Sequence, residues 1–347
     1  MASSTLIMGV LNVTPDSFSD GGKYLDPKSA IEHGMLLVEQ GADIIDIGGE
    51  STRPGAERVT PEEEQFRILP VISALVRAGV PVSVDTMNAS TAILAVEKGA
   101  TYINDVSGGL ADFFMAKAAA ATGAKFIASH WRGHSTTMDK QAIYKDAPTD
   151  IRWELAKRVE ALTDAGIARE NLILDPGLGF AKSEAHNWQM LGKLDELKLL
   201  GFPILVGASR KRFLAALLSP EASLDERDQA SVAVSLVAAN AGVWAVRVHD
   251  VERTAHALRR VDAWNEPDVH VTEVFRAEQI QAQQRTQALQ EELAELTYDF
   301  DEEMAFAREV AAEERARETV LAQVTAEMAA AAAMSRVAEI TREASGE

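Results

Sequence analysis

The chain has 347 residues, of which 47% are hydrophobic, so it can bury the core of a barrel-sized domain and still carry a further segment. Its formal net charge of −19 argues against a nucleic-acid partner, because binding to a phosphate backbone depends on clustered Lys and Arg. The absence of Cys excludes disulfides and thiolate chemistry. With no signal segment and no apolar run long enough to cross a bilayer, we expect a cytoplasmic protein without membrane contact.

Short runs rich in Val, Ile and Leu alternate with longer amphipathic segments, an order typical of parallel strands connected by helices. Eight strands are predicted: Leu6–Val10, Ile44–Ile47, Val82–Val84, Tyr102–Ile103, Lys125–Ala128, Leu172–Leu174, Ile204–Val206 and Val243–Val248. The predicted helices are Lys28–Gln40, Pro61–Arg77, Ala89–Lys98, Thr149–Ala165, Ser183–Leu199, Arg227–Asn240 and Val251–Trp264. This alternation is typical of an α/β protein with a (β/α)8 TIM barrel.

Nearly every predicted strand ends in a polar or glycine-rich cluster. The clusters are Asn12, Asp46–Glu50, Asp85-Thr86, Asn104-Asp105, Ser129-His130, Asp175–Gly177, Gly207–Ser209 and Arg247–Asp250. In a barrel the carboxyl ends of the strands converge on one face, where active sites are found. A single Asp at such a rim is commonly structural, but a whole ring of polar residues favours a functional site.

Three of these clusters supply hydrogen-bonding groups for a flat ligand. Asp85 and Asp175 offer acceptors and Asn104 an amide, a set that can read the donor edge of an amino-heterocycle. The segment Asp46–Gly55 combines glycines, hydroxyls and a guanidinium, which can wrap an anion. Hydrogen bonds to neighbouring loops are the structural alternative for all of them.

Basic residues follow two of the later strands. Arg210, Lys211 and Arg212 lie at the start of a predicted helix, where cations are electrostatically unfavourable unless an anion is bound. Arg247 and His249 alternate along the last strand, so their side chains share one side and suit a diphosphate. The His residues lack paired metal-ligand spacing, but a hard divalent ion could enter with a phosphate ligand.

These segments together resemble the dihydropteroate synthases of the folate pathway, from about Ile7 to Trp264. Two segments are similar to the family signatures: Asn12–Gly22 and Asp46–Gly55. The further matching segments, in family order, are Val84–Thr86, Asn104–Gly108, Asp175–Phe180, Ser209–Lys211 and Arg247–His249. The resemblance implies a transferase that condenses 6-hydroxymethyl-7,8-dihydropterin diphosphate with p-aminobenzoate, giving 7,8-dihydropteroate and diphosphate. It also implies a homodimer and a sulfonamide target.

The resemblance further implies the roles of individual residues. Those implied to bind the pterin are Asp85, Asn104, Asp175 and Lys211. Those implied to hold diphosphate or aminobenzoate are Thr52, Arg53, Arg212, Arg247 and His249. Mg2+ would meet Asn12, and the catalytic residues would be Asp20, Asp85 and Lys211. The pterin carbon would ionise before attack, with Asp20 and Asp85 as counter-charges to the cation.

Two positions depart from the family pattern. Ser129 stands where the family usually places Met against the pterin ring, which changes the expected pocket wall. Arg212 follows Lys211 where many members have Ser, and its guanidinium could meet the aminobenzoate carboxylate or be solvated.

The last segment lies outside the resemblance, so we divide the chain into a barrel, residues 1–266, and an acidic extension, residues 267–347. From Asp268 to Glu347 there are 18 acidic residues against 7 Arg and no Lys, a net charge of −11. Its richness in Ala, Glu, Gln and Arg predicts helix. Leu289, Leu293, Leu296 and Phe300 are spaced as a packing stripe would be, and the extension is compatible with docking on the barrel, self-association or partial disorder.

Two other functions are compatible with parts of the sequence. A methyltetrahydrofolate-dependent methyltransferase would share the Asp and Asn pterin readers, but it would not need the segments Thr14–Gly22 and Ser209–Lys211. A catalytically silent paralogue that binds ligand or a partner would explain Ser129 and the extension, but not the full set of charged residues. Aminobenzoate-dependent release of diphosphate separates these alternatives.

Overall fold

The computed structural model describes residues 5–14, 27–50, 58–134, 137–219 and 221–265, together with Ile280, Gln284 and Gln287. Within them the strands are β1 (Leu6–Asn12), β2 (Ile44–Gly48), β3 (Val82–Asp85), β4 (Tyr102–Asp105), β5 (Lys125–Ser129), β6 (Leu172–Asp175), β7 (Leu205–Val206) and β8 (Ala245–Val248). All neighbours pair in parallel, in the order β6-β5-β4-β3-β2-β1-β8-β7. A parallel bridge between Leu174 and Ile204 joins the two ends of this order, so the sheet closes into the predicted barrel.

The helices follow the strands along the chain, which confirms the predicted alternation. The α-helices in the described residues are α1 (Pro27–Glu39), α2 (Pro61–Arg77), α3 (Ala89–Glu97), α4 (Met115–Thr122), α5 (Ala147–Asp164), α6 (Glu184–Leu191), α7 (Asp195–Lys198), α8 (Arg212–Ala215), α9 (Leu224–Asn240) and α10 (Val251–Asn265). In the described part of the chain, no helix is both long and apolar enough to span a membrane.

Local sequence signals explain where several helices begin. The Thr60 side chain accepts the Glu63 amide at the start of α2, and Pro61 occupies the first helical turn, as predicted. Ser223 and Glu226 form a reciprocal capping box at the start of α9. These caps satisfy amides that have no partner inside the helix, so each helix starts at a defined residue next to the barrel rim.

The barrel interior has an apolar layer below a polar one. Seven strands contribute to one buried cluster: Met8, Ile44, Tyr102, Ile127, Ile173, Leu205 and Ala245. Successive side chains of a strand alternate between faces, so residues two or four positions further along point to the same interior. These are Asn12, Asp46, Asn104, Ser129, Asp175, Gly207 and Arg247. Strand periodicity therefore places polar groups at the carboxyl end of an otherwise apolar interior.

The structure differs from the prediction in a few elements. The predicted helix Ser183–Leu199 is two helices, α6 and α7, because α6 ends at Leu191 with Gly192 as its C-cap. Helix α4 was not predicted, because its Ala-rich sequence has no clear apolar periodicity. Strand β8 begins at Ala245 rather than Val243.

Several predicted features lie outside the described residues. They are Asp20 in the segment after β1, Thr52 and Arg53 in the segment after β2, and nearly all of the extension from residue 267.

Candidate active site

A pocket opens at the carboxyl ends of the strands, as the polar clusters predicted. Its lining residues are Asp85, Asn104, Val106, Ser129, Asp175, Phe180, Gly207, Ser209, Lys211, Arg247 and His249. Six of the predicted site residues therefore meet here, from five strands or the loops that follow them. Ser129, which departs from the family pattern, is part of this wall.

Arg247 is held between two carboxylates in the pocket. Its Nε donates to Asp46 Oδ2 at 2.5 Å and its Nη2 donates to Asp85 Oδ2 at 2.7 Å. Burial alone would lower the pKa of Arg247, but Asp46 and Asp85 offset this and raise it. Burial raises the pKa of Asp85, an effect that the charge of Arg247 opposes. The guanidinium thus stays charged and fixed in place.

The Asp46 carboxylate also sets the orientation of the Asn104 amide. Asn104 Nδ2 donates to Asp46 Oδ2 at 3.0 Å. With its nitrogen used in this way, the amide has its oxygen left as an acceptor for a ligand. Asp46 is fully buried and holds both Asn104 and Arg247, so it organises the pocket without lining it.

The turn after β6 fixes Asp175. Its Oδ1 accepts the Gly177 amide at 2.7 Å, which leaves Oδ2 for the pocket. Gly177 has φ +64, and a Cβ there would lie 2.2 Å from the His130 carbonyl oxygen, so only glycine fits. The space between Gly207 and Asp175 is open. A Cβ added at Gly207 would lie 3.8 Å from Asp175 Oδ2, an ordinary van der Waals distance.

Lys211 reaches the pocket from the segment before α8. Its Nζ donates to the Leu178 carbonyl and lies 4.7 Å from the centre of the Phe180 ring. Burial lowers the pKa of Lys211 to about 8, against the charge of Asp175. Burial raises the pKa of Asp175, and the Lys211 charge opposes that shift in turn. The charged forms of Asp175 and Lys211 therefore stabilise each other.

The three consecutive cations at the start of α8 have separate environments. Arg210 has a left-handed backbone, φ 58, and its side chain makes two hydrogen bonds to Asp228, at 2.7 and 2.9 Å. The Arg212 side chain is 70% exposed and lies 3.6 Å from Asp139. The left-handed backbone at Arg210 turns the three side chains in different directions. Lys211 alone of the three lines the pocket.

His249 is oriented by Ser209. The Ser209 Oγ accepts the His249 backbone amide at 3.3 Å and lies 3.0 Å from His249 Nδ1. When the hydroxyl donates to Nδ1, the imidazole carries its hydrogen on Nε2 and can donate it to an anion.

Asn12 ends β1 on the interior side, half-buried, and it does not belong to the lining of the pocket described above. Among the described residues, no three His, Asp or Glu side chains are grouped so that they could hold a metal ion by themselves.

Sequence reasoning missed Asp46 and Ser209 as single site residues. Asp46 had been grouped with the anion-binding loop Asp46–Gly55. Its position two residues after the buried Ile44 was the available signal, because strand alternation turns both side chains inward. Ser209 carried no local signal of its contact with His249, a residue 40 positions away.

Known proteins resemble this chain over about three quarters of its length. A model of the family "Pterin binding enzyme" matches residues 8–249. Dihydropteroate synthase of Mycobacterium leprae is 47% identical over 263 residues, which cover 74% of this chain and 93% of that protein. The enzyme of Bacillus subtilis is 42% identical over 268 residues, 77% of this chain and 91% of that protein.

Solved structures agree with this relationship. Xanthomonas albilineans dihydropteroate synthase, determined with 4-aminobenzoic acid, is 40% identical with a TM-score of 0.71, over 76% of this chain and 94% of that chain. The Yersinia pestis enzyme, in complex with a sulfonamide drug, is 41% identical with a TM-score of 0.71, over 77% and 96%. The chain therefore belongs to the pterin-binding enzyme family, and within it to the dihydropteroate synthases.

Proposed function

We propose that the protein condenses 6-hydroxymethyl-7,8-dihydropterin diphosphate with p-aminobenzoate, releasing diphosphate and giving 7,8-dihydropteroate for folate biosynthesis. The observation that carries this proposal is the pocket in which Asp85, Asn104, Asp175 and Lys211 meet beside Arg247 and His249. The Xanthomonas relative was determined with 4-aminobenzoic acid, which supports the second substrate. The Yersinia relative binds a sulfonamide drug, so we expect sulfonamides to compete with p-aminobenzoate here.

The pterin ring would be read by acceptors on one side and a cation on the other. Asp175 Oδ2 and the Asn104 oxygen suit ring and exocyclic N–H groups, since Gly177 and Asp46 occupy the remaining hydrogen-bonding positions of these side chains. Lys211 can donate to a ring nitrogen or carbonyl. Buried polar groups that lose their partners are costly, so this set discriminates against ligands without the matching edge.

The diphosphate would meet Arg247 and His249. Among the described residues, only Asp46 and Asp85 accept from the Arg247 side chain, through Nε and Nη2, so Nη1 is available for an anion. We propose that Arg53 and Thr52, which lie outside the described residues, complete this anion site. The contribution of these donors is electrostatic stabilisation of the departing charge.

The residues fit a magnesium ion that enters with the diphosphate rather than one held by the protein alone. Asn12 offers one side-chain oxygen on the interior side of the barrel mouth. Bound there, Mg2+ would supply further neutralisation of charge on the leaving diphosphate.

We propose that the pterin carbon becomes cationic before the amine attacks. Asp85 lies in the pocket as one counter-charge, and Asp20 would be the second. The aniline nitrogen of p-aminobenzoate is neutral at physiological pH, so no side chain has to create a stronger nucleophile. We propose Arg212 for the aminobenzoate carboxylate, since its side chain is 70% exposed and its ion pair with the equally exposed Asp139 is long, at 3.6 Å.

Release of diphosphate tests both the reaction and this order of steps. With Mg2+ and pterin diphosphate, the enzyme should release diphosphate much faster when p-aminobenzoate is present. Without the amine, labelled diphosphate should exchange into substrate, and some hydrolysed pterin should form. No aminobenzoate-dependent release would contradict the proposed reaction. Normal release with no exchange, in enzyme shown to bind the substrate, would contradict only the early cation and favour concerted displacement.

We further propose a homodimer, supported by the unusual polarity of α9. This helix buries Asp228, Ser231 and Ser235 toward the barrel. Its outward residues include Ala233 and Val237, and Val237 is 64% exposed. A surface helix of a monomer normally buries its apolar side, so exposed Ala233 and Val237 opposite the buried hydroxyls favour contact with a second copy through the second half of α9. The first half of the helix exposes the charged residues 225–227.

The extension should carry no chemistry, so a chain ending at Glu266 should keep near-normal turnover while losing stability or changing its assembly state. Its net charge of −11 would repel diphosphate, and the barrel is complete without it. Lost burial would cost about 25 cal/mol per Å2 of apolar surface. Steady-state kinetics would measure turnover, thermal unfolding would measure stability, and sedimentation would measure the assembly state.

Val237→Glu in the full chain is the comparison for assembly, because it places a charge on the apolar face of α9. It should shift sedimentation toward the monomer although the extension is present. A soluble, folded chain ending at Glu266 with turnover about a hundredfold lower would assign the extension to the active site instead.

A further inference from the structure

A second polar cluster, two of whose four residues are buried, is separate from the lining of the pocket. It consists of His130, directly after β5, Glu154 on α5, and Lys182 and Arg132 in loops. His130 and Lys182 are only 3% and 8% exposed. Charged groups are rarely buried this deeply unless they are fully paired, so their partners indicate what the cluster does.

Lys182 uses all three of its ammonium hydrogens. Nζ lies 2.9 Å from the Gly177 carbonyl oxygen, 3.1 Å from that of Phe180 and 2.9 Å from His130 Nδ1. An ammonium has three donors and no acceptor, so this geometry satisfies it completely. Burial lowers the pKa of Lys182 to about 7, while the charge of Asp175 opposes that shift.

The charged form of Lys182 sets the direction of each hydrogen bond in the cluster. His130 Nδ1 faces the ammonium and must accept, so its hydrogen is on Nε2 and is donated to Glu154 Oε2 at 3.0 Å. Burial and Lys182 lower the pKa of His130 to about 4, which keeps the ring neutral. Although burial opposes it, hydrogen bonds from His130 and Arg132 lower the pKa of Glu154 to about 2. The Glu154 carboxylate, the His130 imidazole and the Lys182 ammonium are therefore connected by consecutive hydrogen bonds.

The chain of hydrogen bonds ends on the backbone that shapes the pterin pocket. Peptide carbonyls of residues 177–180 face two lysines: those of Gly177 and Phe180 accept from Lys182, and that of Leu178 accepts from Lys211. The Gly177 amide meanwhile donates to Asp175. A movement of this turn would therefore displace both Asp175 and the carbonyl partner of Lys211.

We propose that Lys182, held by His130 and Glu154, is a positioning residue that sets the 177–180 backbone so that Asp175 and Lys211 can bind the heterocycle. It touches no substrate and acts through the turn. The identity of the ligand rests on the proposed function, whereas the control of the turn does not. The proposal assigns a role to buried residues that the reaction itself leaves unused.

Lys182→Met tests the proposal, because Met keeps the length of the side chain and removes the donors. Pterin affinity by calorimetry should fall about tenfold, and the KM for pterin diphosphate should rise while that for p-aminobenzoate stays unchanged. Amide exchange in the free protein should become faster in segment 176–183 and stay unchanged after β3. Lys157→Met, an exposed change on α5, is the matched control and should alter none of these quantities.

His130 provides the second pair of variants if Lys182→Met does not fold. His130→Asn keeps an acceptor facing Lys182 and should retain most of the pterin affinity, whereas His130→Leu removes it and should lower affinity in the same direction as Lys182→Met. A folded Lys182→Met protein with unchanged pterin affinity and amide exchange would overturn the proposal. So would equal rises in both KM values, or equal loss in both His130 variants. If wild-type turnover fails while the exchange difference persists, the proposed reaction is wrong and the positioning role stands.

Discussion

Replacing Arg247 with Met should lower kcat/KM for pterin diphosphate by about a hundredfold or more, the scale seen when one preorganised donor is removed from an active site. It should also destabilise the fold by about 3–5 kcal/mol, because a buried ion pair that loses one partner leaves an uncompensated charge. Here two carboxylates, Asp46 and Asp85, would lose the same partner. Steady-state kinetics and urea unfolding would measure the two effects.

Arg253→Met is the matched control. Arg253 also contacts two carboxylates, Asp225 and Asp250, but its side chain is 48% exposed. Exposed ion pairs contribute only about 0–1 kcal/mol, so this variant should keep both stability and turnover nearly normal. Equal unfolding free energies for the two variants would contradict the buried role of Arg247.

The pocket was predictable from the sequence because it is built from strand ends. Asp85, Asn104 and Asp175 each end or nearly end a short strand, and parallel strands of a barrel bring their carboxyl ends to one face. The period of two along β8 was enough to place Arg247 and His249 on the same side. Both arguments need only local pattern and the correct fold class.

The partners inside the pocket were not predictable in this way. Arg247 was predicted to hold diphosphate, but nothing in the sequence pointed to its pairing with Asp46 and Asp85, which lie 201 and 162 positions away. The pairing of acidic residues with guanidinium groups depends on strand order and on rotamers. Local periodicity predicts neither of these. Arg210 shows the same limit, since its left-handed backbone turns its side chain toward Asp228 on α9.

Replacing Asp175 with Ala should weaken pterin binding by about tenfold or more, because buried donors on the ligand would lose their acceptor at a cost of roughly 1–3 kcal/mol per group. Lys211 should also be affected. Burial lowers its pKa to about 8 and the Asp175 charge opposes that shift, so without Asp175 the pKa should fall further. Wild-type affinity should therefore decline as pH rises through about 8, and the decline should begin at lower pH in Asp175→Ala.

Asp175→Asn separates the two contributions. It keeps an oxygen that can accept from Gly177 or from the ligand, but it removes the charge beside Lys211. Affinity at acidic pH, where Lys211 is protonated in every variant, should be closer to wild type for Asn than for Ala. Above neutral pH both variants should lose affinity earlier than wild type, because both lack the carboxylate that sustains the Lys211 charge. Calorimetric titration across this pH range would measure the pterin affinity of all three proteins. Unchanged pterin affinity in Asp175→Ala would remove Asp175 from the site.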